Sequence, residues 1–266
     1  MKLDFEYNDR SGEYEAEYKG LTIKAVQDSP PESPREWDNV AVMACGHPSY
    51  NLGDDDGMRQ PRDAIRASRC YRDTWESGSV AAPYDVKIKG TTYDVFDLSE
   101  PGQLWQAIQL CDDIESQPLY LYDHSGITIS TGRFSCAWDS GQVGFAFVTR
   151  AQMIKESAFK RWTPAARAWA RERIDAETRV YDDYITGAVY GYVIASDSDD
   201  HMDSCWGYYG TDFADSGLAE SAMNVADCLL EAAHKKRLAC LARLIRNRVP
   251  LDKRPAMLAS AGELVA

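Results

Sequence analysis

Residues 2–27, KLDFEYNDRSGEYEAEYKGLTIKAVQ, carry the pattern that decides the fold class. Apolar or aromatic side chains recur at every second position: Leu3, Phe5, Tyr7, then Tyr14, Ala16, Tyr18, then Leu21, Ile23, Ala25. A period of two puts those residues on one face of a strand and their polar neighbours on the other. Asn8-Asp9-Arg10-Ser11-Gly12 and Lys19-Gly20 interrupt the run, which predicts a three-stranded meander with tight turns. Residues 28–34 (DSPPESP) follow, and their three prolines end regular structure and mark a linker.

Beyond the linker, strands again come in adjacent runs and helices in blocks. Residues 39–44 (NVAVMA) read as a short buried strand, residues 62–76 as a short polar helix, and 84–88 with 92–96 as a hairpin around Lys89-Gly90. Ser99 and Pro101 open a helix over 102–116, with Leu104, Ile108 and Cys111 on one stripe. Strands are predicted at 119–122, 127–130 and 143–149, and helices at 151–158 and 163–184, the second opened by Thr163-Pro164. Strands at 189–195 and 201–209 precede helical segments at 216–232 and 233–248, stopped by Pro250. This order predicts an α+β fold, a mainly antiparallel sheet with helices packed on one face, and argues against a βαβ array. The expected organisation is a meander at 1–27, a Pro-rich linker at 28–36, an acidic α+β body at 37–232 and a basic C-terminal helix and tail at 233–266.

Composition sets the class of molecule. The 266 residues are 44% hydrophobic and 27% charged, which is ordinary for a globular chain with a substantial core. No run of ~18 apolar residues occurs, so no membrane span is expected. The first twenty residues carry acids where a signal peptide needs an apolar stretch, and the seven cysteines, 45, 70, 111, 136, 205, 228 and 240, show no paired spacing. Free, mostly buried thiols in a bacterial cytoplasm are the expectation.

Charge is the sharper signal. Twenty-nine Lys and Arg face 42 Asp and Glu, a net of −13. Residues 1–233 hold 21 bases against 40 acids, a net of −19, whereas Lys235, Lys236, Arg237, Arg243, Arg246, Arg248, Lys253 and Arg254 make the C-terminal segment basic. A surface of this sign repels phosphates, so direct nucleic-acid binding by the body is not expected. The amphipathic basic helix is expected to dock on the acidic body of its own chain or of a second copy in a homodimer.

The chemical motifs are weak. Leu52-Gly53-Asp54-Asp55-Asp56-Gly57 imitates the start of a calcium loop but lacks its first ligand and its terminal Glu. Cys45 and His47 are two apart, and His201 and Cys205 four apart on a predicted strand; neither spacing builds a zinc site alone. Cys136 and His124 stand in neighbouring turns, where a thiolate–imidazole pair would fit, but no helix N-terminus supports the thiolate. Phosphate loops, dinucleotide fingerprints and the G-x-S-x-G elbow are absent. No catalytic residue, metal or cofactor is therefore assigned.

One pattern recurs. An aromatic residue directly precedes aspartate at Trp37-Asp38, Tyr84-Asp85, Tyr93-Asp94, Phe96-Asp97, Tyr122-Asp123, Trp138-Asp139 and Tyr181-Asp182. On strands this would turn rings inward and carboxylates outward. The candidate partner-binding residues are Asp54, Asp55, Asp56, Asp85, Asp94, Asp182, Asp183, Asp197, Asp199 and Asp200.

LYLYDHSGITIS (119–130), CAWDSGQVGFAFVTR (136–150), YDDYITGAVYGYVI (181–194) and DSCWGYYG (203–210), in that order, resemble a family of accessory proteins without assigned activity encoded by bacteriophages, prophages and conjugative elements. The resemblance covers roughly residues 118–230 and transfers no site residue. It implies a protein of a mobile element working inside a bacterial host. Joined to the charge, it leads to the expectation of an inhibitor that binds a host defence complex, such as a CRISPR effector or restriction enzyme, through an acidic, DNA-mimicking surface. Its partner would be a host protein or nucleoprotein complex with a basic nucleic-acid-binding surface. The alternatives are a regulator or assembly factor of mobile-element replication, or an enzyme with an unrecognised site.

Overall fold

The computed structural model describes residues 3–54, 59–69, 85–88, 91–94 and 101–265. In chain order the strands are β1 (Glu6–Asn8), β2 (Glu13–Tyr18), β3 (Leu21–Gln27), β4 (Val42–Cys45), β5 (Asp85–Ile88), β6 (Thr91–Asp94), β7 (Ile114–Asp123), β8 (Ile127–Ser130), β9 (Ser140–Thr149), β10 (Val189–Ser196) and β11 (Asp199–Tyr209). The helices are α1 (Arg59–Ala67), α2 (Pro101–Gln109), α3 (Arg150–Glu156), α4 (Pro164–Ile185), α5 (Leu218–Arg248) and α6 (Arg254–Val265). Every pairing between these strands is antiparallel, and the fold is α+β. Among the described residues no helix is long and apolar enough to cross a membrane.

The chain forms two compact units, Pro31–Ala188 and the pair of segments Met1–Pro30 and Val189–Ala266. This differs from the four consecutive segments read from the sequence. The meander is not a domain of its own, because β3 pairs along its whole free edge with β10, Ile23 opposite Ile194. Three short strands alone would leave Leu21, Ile23 and Ala25 with no opposing layer and one edge unpaired. The prolines at 30, 31 and 34 stand where the chain passes from this sheet to the 31–188 unit, the boundary falling between Pro30 and Pro31.

In the 31–188 unit the sheet order is β4-β9-β7-β8, with β5 and β6 forming the separate predicted hairpin. Helices cover both faces of the four strands. Strand β9 shows why: Ala146 and Val148 point into a core with Met153, Ala166, Ala170 and Ile174, while Phe145 and Phe147 point into a second core with Ile65, Leu104 and Ile108. A strand buried on both sides reads as a continuous apolar run, as β9 does. Helix α4 presents Ala166, Ala170, Ile174 and Tyr181 on one stripe and is capped by Thr163, whose hydroxyl accepts from the Ala166 N–H.

Strand β7 begins at Ile114, five residues before the strand read from the sequence, and contains Pro118. The proline is tolerated because β8 pairs only with Tyr120–Asp123 of β7. At Pro118 the side toward β8 is an open edge, where a missing N–H costs no ladder bond.

The other unit has the order β1-β2-β3-β10-β11, and helix α5 covers one face. Leu218, Ala219, Ala222 and Ala226 pack on Tyr18, Leu21, Ile23, Tyr192 and Ile194. Phe213 closes the end of this core through edge-on contacts with Phe5, Tyr14 and Tyr190. Helix α5 is continuous over 31 residues, but from Glu231 onward most of its side chains are exposed, Lys235, Lys236, Arg243 and Arg246 among them.

Candidate functional site

The described members of the ten aspartates singled out from the sequence are put to different uses. Asp54 is internal to the 31–188 unit, where it closes an ion network around Arg35, a side chain only 6% exposed. Arg35 Nε donates to Asp54 Oδ1 at 2.8 Å, one Nη to Asp54 Oδ2 at 3.1 Å and to the Ala41 carbonyl at 2.7 Å, and the other Nη to Glu177 Oε2 at 3.2 Å. The remaining capacity is taken by backbone: Met43 N–H donates to Asp54, and Val40 and Ala41 N–H donate to Glu177. With both oxygens engaged, Asp54 is neither a cation ligand nor a free surface charge. Asp55 and Asp56 lie outside the described residues.

Asp182 is committed as well. It accepts from Thr128 Oγ1 at 2.6 Å and from the Ile129 N–H at 2.7 Å, which ties α4 to β8. Asp183 beside it is half-buried, and its carboxyl is pushed above the ordinary range by burial and then by the charge of Asp182. Asp85 and Asp94 face each other in register across the β5–β6 hairpin. Among the candidates whose side chains are described, only Asp197, in the turn after β10, and Asp199 and Asp200, at the start of β11, are plainly exposed.

The aromatic–Asp rule also fails where it can be checked. Tyr181-Asp182 lies on a helix, Trp138 is 97% exposed, and on β7 it is Leu119 and Leu121, not the tyrosines, that enter the core.

The outward carboxylates come instead from glutamates of the meander. In β2 (EYEAEY) Tyr14, Ala16 and Tyr18 face the core, so Glu13, Glu15 and Glu17 face away from it. Register sets Glu6 opposite Glu15, Glu15 opposite Lys24, Lys24 opposite Val193 and Val193 opposite Ser204. Lys24 sits between two of the acids, 3.5 Å from Glu13 and 3.6 Å from Glu15. Glu15 is held below its ordinary range by a hydrogen bond from Asn8, helped by Lys24. Trp206, 46% exposed, lies over Gly191 on the same side of the sheet, since a Cβ there would come within 2.3 Å of its ring. The pairings Glu17 with Thr22 and Thr22 with Ala195 bring the Asp197–Asp200 turn to the Glu17 end of this face. Glu6, Glu13, Glu15, Glu17, Asp197, Asp199 and Asp200 thus share one sheet, answered locally by Lys24. The strict alternation of residues 13–18 was the signal for the glutamates, overlooked in favour of aspartates.

The nucleophile and metal readings find little support. His124 Nδ1 lies 3.3 Å from Asp139 Oδ2, and Cys136 Sγ lies 3.5 Å from the same oxygen. Thiol and imidazole meet the carboxylate rather than each other, which is not the contact that activates a thiolate. The Cys45 thiol is pushed up to about 12, by burial first and by Asp54 second. His47 stacks on Tyr50, and His201 Nε2 pairs with Ser204 Oγ at 3.1 Å. Among the described residues no group of three or more His, Cys, Asp or Glu is placed to hold a metal ion. The six described cysteines are free; contrary to expectation only Cys111 is buried, and Cys205, Cys228 and Cys240 are exposed. No family model, curated protein or solved structure matches the chain.

Proposed function

We propose that this protein is a binding protein that uses the glutamate face and the β10–β11 turn of its 1–30/189–266 unit to occupy a basic, nucleic-acid-binding surface on a partner. In the mobile-element setting implied by the resemblance, that partner is a host defence complex, a CRISPR effector or a restriction enzyme, and the binding inhibits it. The observation that carries the reading is the strand register that lines up Glu6, Glu13, Glu15 and Glu17 beside the exposed Trp206. Carboxylates on alternate strand residues recur about every 6.8 Å, sparser than the one charge per ~1.7 Å of a DNA duplex. Charge alone would then give fast encounter, and the tryptophan and the turn would add the local fit.

The test starts from affinity capture in a defence-competent bacterial lysate and measures the captured partner's DNA binding. Neutralising Glu6, Glu13, Glu15 and Glu17 together to Gln should slow association about 10- to 100-fold at low salt, with the loss shrinking as salt rises. Any one substitution should change it only a few-fold, since exposed pairs contribute ~0.2–1 kcal/mol each. Inhibition that survives both this set and Asp197→Asn/Asp199→Asn/Asp200→Asn would remove the mechanism. A second reading, self-association, is favoured by the exposed basic half of α5, which complements the acidic face of another copy. Light scattering that finds a monomer at low and high salt would dismiss it.

A further inference from the structure

The end of the β7–β9 pair holds two opposite charges that are not paired with each other. Asp113 and Arg150 stand immediately beyond the register pair Ile114 and Thr149, and the Arg150 N–H donates to the Asp113 carbonyl at 2.8 Å. Side chains at facing positions like these are close enough to pair, yet no ion pair joins them. Asp113 Oδ2 accepts from the Arg69 backbone N–H at 3.2 Å, while Asp113 Oδ1 is buried with no hydrogen-bond partner. Arg150 Nε is likewise buried without a partner. A buried polar atom left unmatched bears its full desolvation cost, and here an acceptor and a donor of opposite charge bear it side by side.

Both residues line a cavity of about 550 Å³ with Arg69, Ala64, Ile114 and Ile154 among its walls. The volume is that of a small-molecule site, and the composition, apolar walls with a few convergent polar groups, is what such sites share. Two guanidinium groups against one carboxylate make the lining net positive within an acidic protein. Arg150 calls for an anionic oxygen and Asp113 for an N–H donor on the same molecule.

We infer that this cavity binds a small zwitterion of the α-amino-acid class, its carboxylate on Arg150 and its ammonium on Asp113, with the side chain against Ala64, Ile114 and Ile154. The site is separate from the acidic sheet face and does not depend on the reading given for it.

The test uses the full chain and a panel of free L-amino acids at millimolar concentration, each beside its N-acetyl and its carboxamide derivative, with inorganic phosphate as a further probe. At least one free amino acid should raise the melting temperature, and neither blocked form should match it. Arg150→Met should weaken that ligand about 10- to 100-fold. It should also raise the melting temperature of the unliganded protein, because it removes a buried group with nothing to bond, the trade between stability and function seen at binding sites. A panel in which no free amino acid binds would overturn the inference. So would binding unchanged in Arg150→Met, equal response to phosphate, or an unliganded Arg150→Met protein that melts lower than the parent.

Discussion

The two units are both antiparallel sheets backed by helices, yet they use their acids in opposite ways. In the 31–188 unit, layers lie on both faces of the sheet, and carboxylates become ties between layers: Asp54 and Glu177 hold Arg35, Asp182 holds β8, and Glu115 holds Arg167 and Arg171 of α4. In the 1–30/189–266 unit one face of the meander is covered and the acids stand on the other, meeting Lys24 or solvent. A residue count cannot separate these cases. An Asp or Glu is free surface charge only where the fold has left its side of the sheet without a layer that needs hydrogen bonds.

The largest effect that could break this contrast is at Arg35. Arg35→Met would strand Asp54 and Glu177 in a half-buried site, and breaking a buried pair by removing one partner costs about 3–5 kcal/mol. Asp199→Asn, at the exposed start of β11, should stay within ~0.5 kcal/mol of the parent. Urea denaturation of the two variants compares them directly. Equal midpoints would mean that the network is as loosely held as the surface acids.

Next come two glycines, one in each unit. A Cβ on Gly144 would lie 2.0 Å from the Ala44 carbonyl oxygen of the neighbouring strand, so strand backbone would have to move. A Cβ on Gly191 would meet Trp206 at 2.3 Å, where the half-exposed ring can swing away, and the Cys205 carbonyl at 2.8 Å, which asks a far smaller backbone shift than the 2.0 Å contact at Gly144. Overpacking costs ~1–3 kcal/mol, with backbone clashes at the upper end. Gly144→Ala should therefore cost about 3 kcal/mol and Gly191→Ala about 1 kcal/mol, the second with a change in tryptophan fluorescence. A Gly191→Ala protein as unstable as Gly144→Ala would show that Trp206 is locked to the sheet, which would remove it as a movable anchor for a partner.

Local patterns were legible in the sequence and long-range consequences were not. The meander of residues 2–27 and the Thr163-Pro164 helix start follow from neighbours a few positions apart. Asp54 looked like part of an acidic turn because its partner Arg35 lies 19 residues away, and the second carboxylate on that arginine, Glu177, lies 142 residues from Arg35, with no local mark. The start of β7 at Ile114 was not legible because the tolerance of Pro118 within the strand depends on how far β8 extends. The apolar run of β9 did carry the sign of a strand covered on both faces, and only the assumption of a single helical layer hid it.

The smallest effect sharpens the contrast through protonation. Asp183, in the 31–188 unit, is raised above its ordinary value of 3.8 by burial first and Asp182 second. The folded chain holds this proton to higher pH than the unfolded chain does, so its contribution to stability is unfavourable once pH rises above the unfolded value, and acidification relieves it. Glu15, in the other unit, is lowered by the Asn8 hydrogen bond and by Lys24. Its contribution is favourable above the ordinary value of 4.5 and is lost as pH falls through the lowered folded value. Asp227, lowered chiefly by its hydrogen bond from Lys19, behaves as Glu15 does. Acid should thus act with opposite sign on the two units at these positions. Carboxyl-detected NMR titration should show Asp183 taking up its proton above its ordinary value of 3.8, Glu15 below its ordinary 4.5 and Asp227 below its ordinary 3.8. A Glu15 that titrates at or above 4.5 would mean that the Asn8 hydrogen bond does not persist in solution, and an Asp183 at or below 3.8 that its burial does not.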